Sequence, residues 1–420
     1  MSAEFPTDPV QLTQKLVQIP SDKVSGEVAL AKYITAYVGE TAPNFRATLI
    51  PTADPNRPSL IVANHELPDF VAIAHYDTVL PWTVGSEQNQ GQFDPHGGTI
   101  SEGKVYGRGA ADAKHTVANL LTIAASVNTL PRAAFVFPSD EEGKFLGSEA
   151  LVPHFADLMA KNPDYRPAFV LSTNGNTGEV SYGCRGLFEL NVEVAGRTAH
   201  SAIRKPGRPT PINAFDIGIS AYQDLKAILA DLEPNHLGKT TVNAAGGEYG
   251  LKQENGGLVT SYNSVPDLYR AAFEFRTNGG IFFPGKLINA ANTLEYLSNM
   301  IANKDASADI TIRQERAAWL ANRSDAAWLE QIIKEVRRIN EVPEWVYGEH
   351  GYDEIAMFME AFNRGSERLV PAAIYGVVDG LLFHAVDENA PVEDIRTMQE
   401  ILVRTITSPE LRRQSFSTPS

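Results

Sequence analysis

The chain has 420 residues, 43% hydrophobic and 21% charged, enough apolar material for two or three domains with a large core. A formal net charge of −15 argues against nucleic acid and anionic membrane as partners. The single cysteine, Cys184, excludes an intrachain disulfide, so nothing requires an oxidising compartment.

Residues 1–8 carry acidic groups and no apolar signal core, and no apolar run approaches membrane-spanning length. A cytoplasmic protein is the expectation. Amphipathic patterning predicts helices over 9–19 and 26–38, and apolar runs predict strands over 59–63 and 70–74. A helix over 112–127 and strands over 132–137 and 167–171 follow. This alternation implies an α/β fold with a mostly parallel sheet sandwiched by helices. From Leu187 the texture changes: strand 187–194, helix 213–232, strands 240–245 and 268–276, helix 286–303 and strand 309–314. That β-α-β-β-α-β order is the ferredoxin-like α+β pattern. Helices at 325–339, 354–362 and 393–408 and a strand at 372–376 then resume the first texture. The parse is a discontinuous domain, 1–186 and 317–420, carrying an inserted domain at 187–316.

The chemistry collects at strand ends. Val71-Ala72-Ile73-Ala74 runs straight into His75-Tyr76-Asp77. Residues i and i+2 of a strand share a side, so His75 and Asp77 stand together where open α/β sheets place their sites. A carboxylate that takes one ring N–H of a histidine leaves the other nitrogen free for a metal; the same pair also serves as plain strand-end polar residues. Gly107-Arg108-Gly109-Ala110-Ala111-Asp112-Ala113-Lys114 is a glycine-rich turn delivering Asp112 to a helix start, as a rigid ligand able to bridge two cations or as an N-cap. Its glycine spacing is not that of a dinucleotide fingerprint. A further apolar strand ends in Asp140-Glu141-Glu142-Gly143, where three unpaired charges call for cations or form a solvated acidic loop. His384, in Phe383-His384-Ala385-Val386-Asp387-Glu388, and His200, in Gly196-Arg197-Thr198-Ala199-His200-Ser201, are further candidates, each by itself equally a structural histidine.

In this order and spacing the His-x-Asp, Gly-Arg-Gly-x-x-Asp-x-Lys and Asp-Glu-Glu motifs, with the inserted domain, resemble the dinuclear zinc aminoacylase / acetylornithine deacetylase / succinyl-diaminopimelate desuccinylase / glutamate carboxypeptidase family. The resemblance spans about 14–406. It implies a zinc exopeptidase-like fold whose inserted domain serves as lid and dimerisation module, a homodimer, and two zinc ions, with cobalt or manganese as other candidates. It implies His75 as ligand of one metal with Asp77 behind it, Asp112 bridging both, and Glu142 and His384 on the second. Glu141 is then general base and acid. His200 reaches a partner subunit's site to polarise the scissile carbonyl. Arg276, Asn263 and Arg185 fall at substrate-binding positions, with Asn213 as a further candidate, and Gly351 and Tyr352 on a loop lining the substrate pocket.

One position departs from the pattern. Counting back from Arg185-Gly186, Asn174 stands where the family has a further metal-binding carboxylate. Asn174 ligates through oxygen and the site is dinuclear but labile, or only the site of Asp112, Glu142 and His384 fills, or Glu179 folds back as substitute. The expected function is metal-dependent hydrolysis of an amide in an N-acyl amino acid or short peptide, with a free substrate carboxylate met by arginine. The alternative is a catalytically silent relative that binds ligands or partners. A serine hydrolase is disfavoured, because no Gly-x-Ser-x-Gly elbow is present.

Overall fold

The computed structural model describes residues 5–82, 91–126, 130–176, 178–202, 206–235, 237–279, 281–282, 286–343, 351–366 and 369–415. In chain order, α1 (Pro9–Val17) and α2 (Val28–Thr41) precede β1 (Arg46–Ile50), β2 (Ser59–Ala63) and β3 (Phe70–Ile73). Next come α3 (His115–Ser126), β4 (Ala133–Phe137), α4 (Leu146–Lys161), β5 (Phe169–Ser172) and the short β6 (Val180–Ser181). The change of texture covers β7 (Gly186–Ala195), α5 (Ala214–Ala230), β8 (Thr241–Lys252), β9 (Leu258–Val259), β10 (Leu268–Thr277), α6 (Ala290–Ala302) and β11 (Ser307–Arg316). Helices α7 (Ala327–Arg337) and α8 (Ile355–Asn363), strand β12 (Ala372–Tyr375) and helix α9 (Val392–Thr407) close the chain.

Contacts divide the described chain into two compact units. The first comprises residues 5–183, 320–343 and 353–415. Its seven-stranded sheet has the order β1-β2-β4-β3-β5-β12-β6. The centre, β4-β3-β5-β12, is parallel, whereas β1, β2 and β6 pair antiparallel. Strands β3, β4 and β5 are buried at every position, which explains their unbroken apolar sequences: no face is left for polar alternation. Asp8 caps α1 by accepting from Val10 N and Gln11 N, and Pro9 occupies the first helical turn, where its missing N–H costs nothing.

The second unit comprises residues 184–319 and, of the described chain, 351–352. Its sheet has the order β9-β8-β10-β7-β11 and is antiparallel throughout. Strands β7, β8, β10 and β11 with α5 and α6 give the β-α-β-β-α-β order. One face packs on both helices, with Phe188, Phe273, Phe275, Leu225 and Leu297 in the core. Phe188 and Phe275 stack at a centroid separation of 4.2 Å. Asn213 and Asn289 cap α5 and α6, and the latter cap starts α6 at Ala290 rather than at the predicted residue 286.

Three local features differ from expectation. Strand β1 and helix α4 are additional elements; α4 carries Pro153 in its interior, which reads in sequence as a helix breaker. The predicted helix over 112–127 begins only at His115, because Asp112 (φ −131°, ψ 93°) and Ala113 are non-helical. Among the described residues no helix is long and apolar enough to cross a membrane.

Candidate metal and catalytic centre

Four segments of the first unit bring the site together. His75 and Asp77 follow β3, and the fully buried Asp77 carboxylate receives Glu141 N and Glu142 N at 3.1 Å each. It also faces His75 Nδ1 at 3.5 Å. Asp77 therefore orients the imidazole and pins the peptide that carries both glutamates. The opposite ring nitrogen, His75 Nε2, lies 2.9 Å from Asp112 Oδ1.

Asp112 sits in the kink ahead of α3, not at its N-cap. Its position is set by Glu388, whose Oε1 accepts Ala111 N at 2.9 Å and Asp112 N at 3.0 Å while Arg108 pairs with Oε2. Glu388 is fully buried and belongs to the same loop as His384, so one carboxylate ties two ligand-bearing segments together. His384 Nε2 lies 2.7 Å from Glu142 Oε1 and 3.3 Å from Asp112 Oδ2.

His75, Asp112 and Glu142 each offer a ligand atom, and these atoms lie within 4.8 Å of one another. Imidazole nitrogen with carboxylate oxygen is the donor set that zinc and related divalent ions take. The charges are correspondingly displaced. Burial opposes ionisation of Asp112, but the charges and hydrogen bonds of His75 and His384 outweigh it and hold the carboxyl well below its usual range. The hydrogen bonds to Asp112 and Glu142 push His384 up to about 10. His75 is also raised, burial being overcome by Asp112. Burial pushes Glu141 upward, with His75 opposing and Glu142, Glu354 and Asp112 adding to the rise. Shifts of opposite sign among clustered buried groups accord with a functional site.

Asn174 is placed by sheet register. Ile73 of β3 pairs with Ser172 of β5, and Thr173 N donates to Ile73 O at 2.9 Å. His75 and Asn174 thus lie two residues beyond paired positions on neighbouring parallel strands. Asn174 Oδ1 is buried without a hydrogen-bond partner, an amide oxygen left free beside the histidine. The floor beneath is tight: a Cβ on Gly376 would fall 1.9 Å from Gly175 O, so the ends of β5 and β12 touch backbone to backbone.

One expectation is corrected. Asp140 is not an unpaired charge aimed at a cation; its Oδ1 accepts from Arg57 Nη1 at 2.7 Å. Besides Glu388, two more buried carboxylates near the start of α8 had no assigned role in sequence. Asp353 Oδ2 accepts from Ser172 Oγ at 2.9 Å, and its Oδ1 accepts from Ile355 N at the start of α8. Glu354 is fully buried against Ser148. A doublet of acids just before an apolar helix was the only available signal.

The second unit holds the remaining candidates. His200 bridges to Ser264, and Ser201 N donates to Asn263 O at 2.8 Å, so exposed His200 and Asn263 share one corner. Arg276 Nε pairs with Glu274 at 3.1 Å, and its Nη1 lies 3.9 Å from where a Cβ on Gly351 would stand. Tyr352 is buried, and Arg185 Nη1 reaches Lys239 O at 3.4 Å. Asn213 spends its side-chain oxygen on the α5 cap.

Residues 71–408 match the model of peptidase family M20/M25/M40. A succinyl-diaminopimelate desuccinylase of Caulobacter vibrioides is 27% identical over 413 residues, covering 94% of this chain and 95% of its own. One from Caulobacter sp. (strain K31) is 25% identical over 350 residues, 80% of each chain. Among solved structures, a tripeptidase of Staphylococcus aureus superposes with a TM-score of 0.68 at 17% identity, covering 97% of this chain and 100% of its own. An M20 family metallo-carboxypeptidase of Sulfolobus solfataricus does so at 0.67 and 18%, covering 94% and 97%. The chain belongs to peptidase family M20/M25/M40 and is a hydrolase of amide bonds.

Proposed function

We propose that the chain hydrolyses the amide bond of an N-acyl amino acid or short peptide, with Glu141 as general base and acid. The convergence of His75, Asp112, Glu142 and His384, with Glu141 beside them on a peptide pinned by Asp77, carries this reading. Those four side chains would hold the metal, zinc by resemblance. A divalent cation supplies Lewis-acid chemistry, polarising a carbonyl and making water acidic enough to ionise near neutral pH. Glu141 takes a proton from water and returns it to the leaving amine; an upward-shifted carboxyl suits both halves of that exchange.

In this reading metal holding is uneven. Asp112, Glu142 and His384 combine two carboxylates with an imidazole. On the side of His75, Asn174 adds an oxygen without charge, so that ion is the labile one. Arg276 beside Gly351, together with Arg185, supplies cationic anchors for a substrate carboxylate. His200, beside Asn263, polarises the scissile carbonyl in the partner subunit of a homodimer.

Turnover of a panel of N-succinyl and other N-acyl amino acids, dipeptides and tripeptides tests the reading. Glu141→Gln is expected to lower kcat by about 10²–10⁴ with metal content unchanged. Full turnover in that variant removes Glu141 from its role. Absence of turnover on every amide by the metal-loaded wild type favours a silent binding relative.

A further inference from the structure

Arg57 belongs to none of the motifs, yet it is buried directly behind the glutamate pair. Its side chain is 10% exposed, and its Nη1 donates to Asp140 Oδ1 at 2.7 Å and Glu27 Oε1 at 3.0 Å. Glu27 is fully buried. The backbone of Arg57 is tied to the same place: its carbonyl accepts Ser139 Oγ at 2.7 Å, and Ser139 N donates to Ser59 Oγ at 3.1 Å. A buried guanidinium held by the Asp140 carboxylate and the Glu27 carboxyl is a rigid strut, because moving it would strand a charge and its polar partners in the interior.

The strut bears on the residue before Glu141. Asp140 has φ +58°, a left-handed conformation uncommon for a residue with a side chain. Its carbonyl accepts Phe145 N at 2.8 Å and its Oδ2 accepts Lys144 N at 3.0 Å, closing the loop over its own carboxylate. A Cβ on Gly143 would fall 2.3 Å from Asp140 Oδ1, so only glycine admits this fold-over. Glu141 and Glu142 therefore leave the loop with Asp77 holding their N–H groups on one side and the Arg57–Asp140 pair fixing the preceding residue on the other.

We infer that Arg57 is a positioning residue, acting through Asp140 to aim Glu141 at the reacting atoms and Glu142 at the metal. The assignment rests on the roles proposed above for those two glutamates. Arg57 touches neither, so its removal acts on precision and leaves substrate contacts alone. Removing a direct partner of a metal ligand typically costs 10–100-fold in affinity or activity, and Arg57, one connection further out, should cost about the low end of that range.

The test uses the full chain and zinc as probe. Arg57→Gln is expected to weaken zinc binding and to lower kcat, each by about 10-fold, with KM little changed. Asp140→Asn should reproduce the loss, and the double variant should add little, because both changes break one connection. Asp54→Asn, which removes the charge of a half-buried partner 3.7 Å from Arg57, should change neither. Wild-type zinc affinity and kcat in folded Asp140→Asn, or additive losses in the double variant, overturn the assignment, including where Arg57→Gln fails to fold. Failure of the functional reading looks different: Glu141→Gln then retains turnover, while the zinc titrations of the Arg57 and Asp140 variants still report on the strut.

Discussion

Asn174→Asp should turn the uneven metal centre into one that retains two ions. Asn174 lies beside His75 in the sheet register, and its Oδ1 is buried without a partner, so the substitution places a charge where a free oxygen already stands. Two unit charges about 4 Å apart at an effective dielectric constant of about 20 attract by about 4 kcal/mol, and a divalent ion doubles this to about 8. Desolvating the new carboxylate costs several kcal/mol. The remainder, about 3–4 kcal/mol, corresponds to roughly 10²–10³-fold in the dissociation constant. The assay is metal counting after dialysis against graded chelator, paired with calorimetric zinc titration. The variant should keep two ions at a chelator strength that leaves the wild type with one. Two ions retained equally by both proteins, or a second ion no tighter in the variant, would refute the charge argument.

Zinc uptake by the metal-free protein should release protons, because Asp112 and Glu142 hold His384 at about 10 and Asp112, with Asp77, holds His75 above its ordinary value. Apparent affinity should then rise with pH across the neutral range; calorimetry in buffers of different ionisation heat measures the protons, and a pH-independent affinity contradicts the pairing. Burial raises Glu354 to about 8, against the opposing pull of His75 and Ser148. Its contribution to stability is full below the unfolded pKa of about 4.3 and is lost as pH rises through the folded value. In chelator-treated protein, Glu354→Gln should remove at most about 4 kcal/mol of that pH-dependent loss, read from urea unfolding between pH 5 and 8. An unchanged slope would show that Glu354 is ionised in the folded chain. Mixing His200→Ala with Glu141→Gln chains should restore activity if His200 acts across a dimer, and mixtures that stay inactive dispose of that role.

What was legible in the sequence was local. Strands β3, β4 and β5 announce themselves because burial on both faces demands unbroken apolar runs, and His75, Asp77, Glu141 and Glu142 stand out as the polar residues that end such runs. Helix α4 was hidden by Pro153, which its interior tolerates. The geometry of Asp112 was hidden because its kink is imposed by Glu388, distant in the chain.

The amino-acid sequence by itself determined the donor types, the strands that end in them, and the substitution of an amide for a charge at Asn174. Tertiary structure alone decided which carboxylates face one another. Asp140 is consecutive with Glu141 and Glu142 yet turns to Arg57, while Glu388 and Glu354 come from far along the chain to brace the site. The physical reason is desolvation. A buried charge must find a partner, and where the partner lies depends on which strand ends the sheet brings side by side.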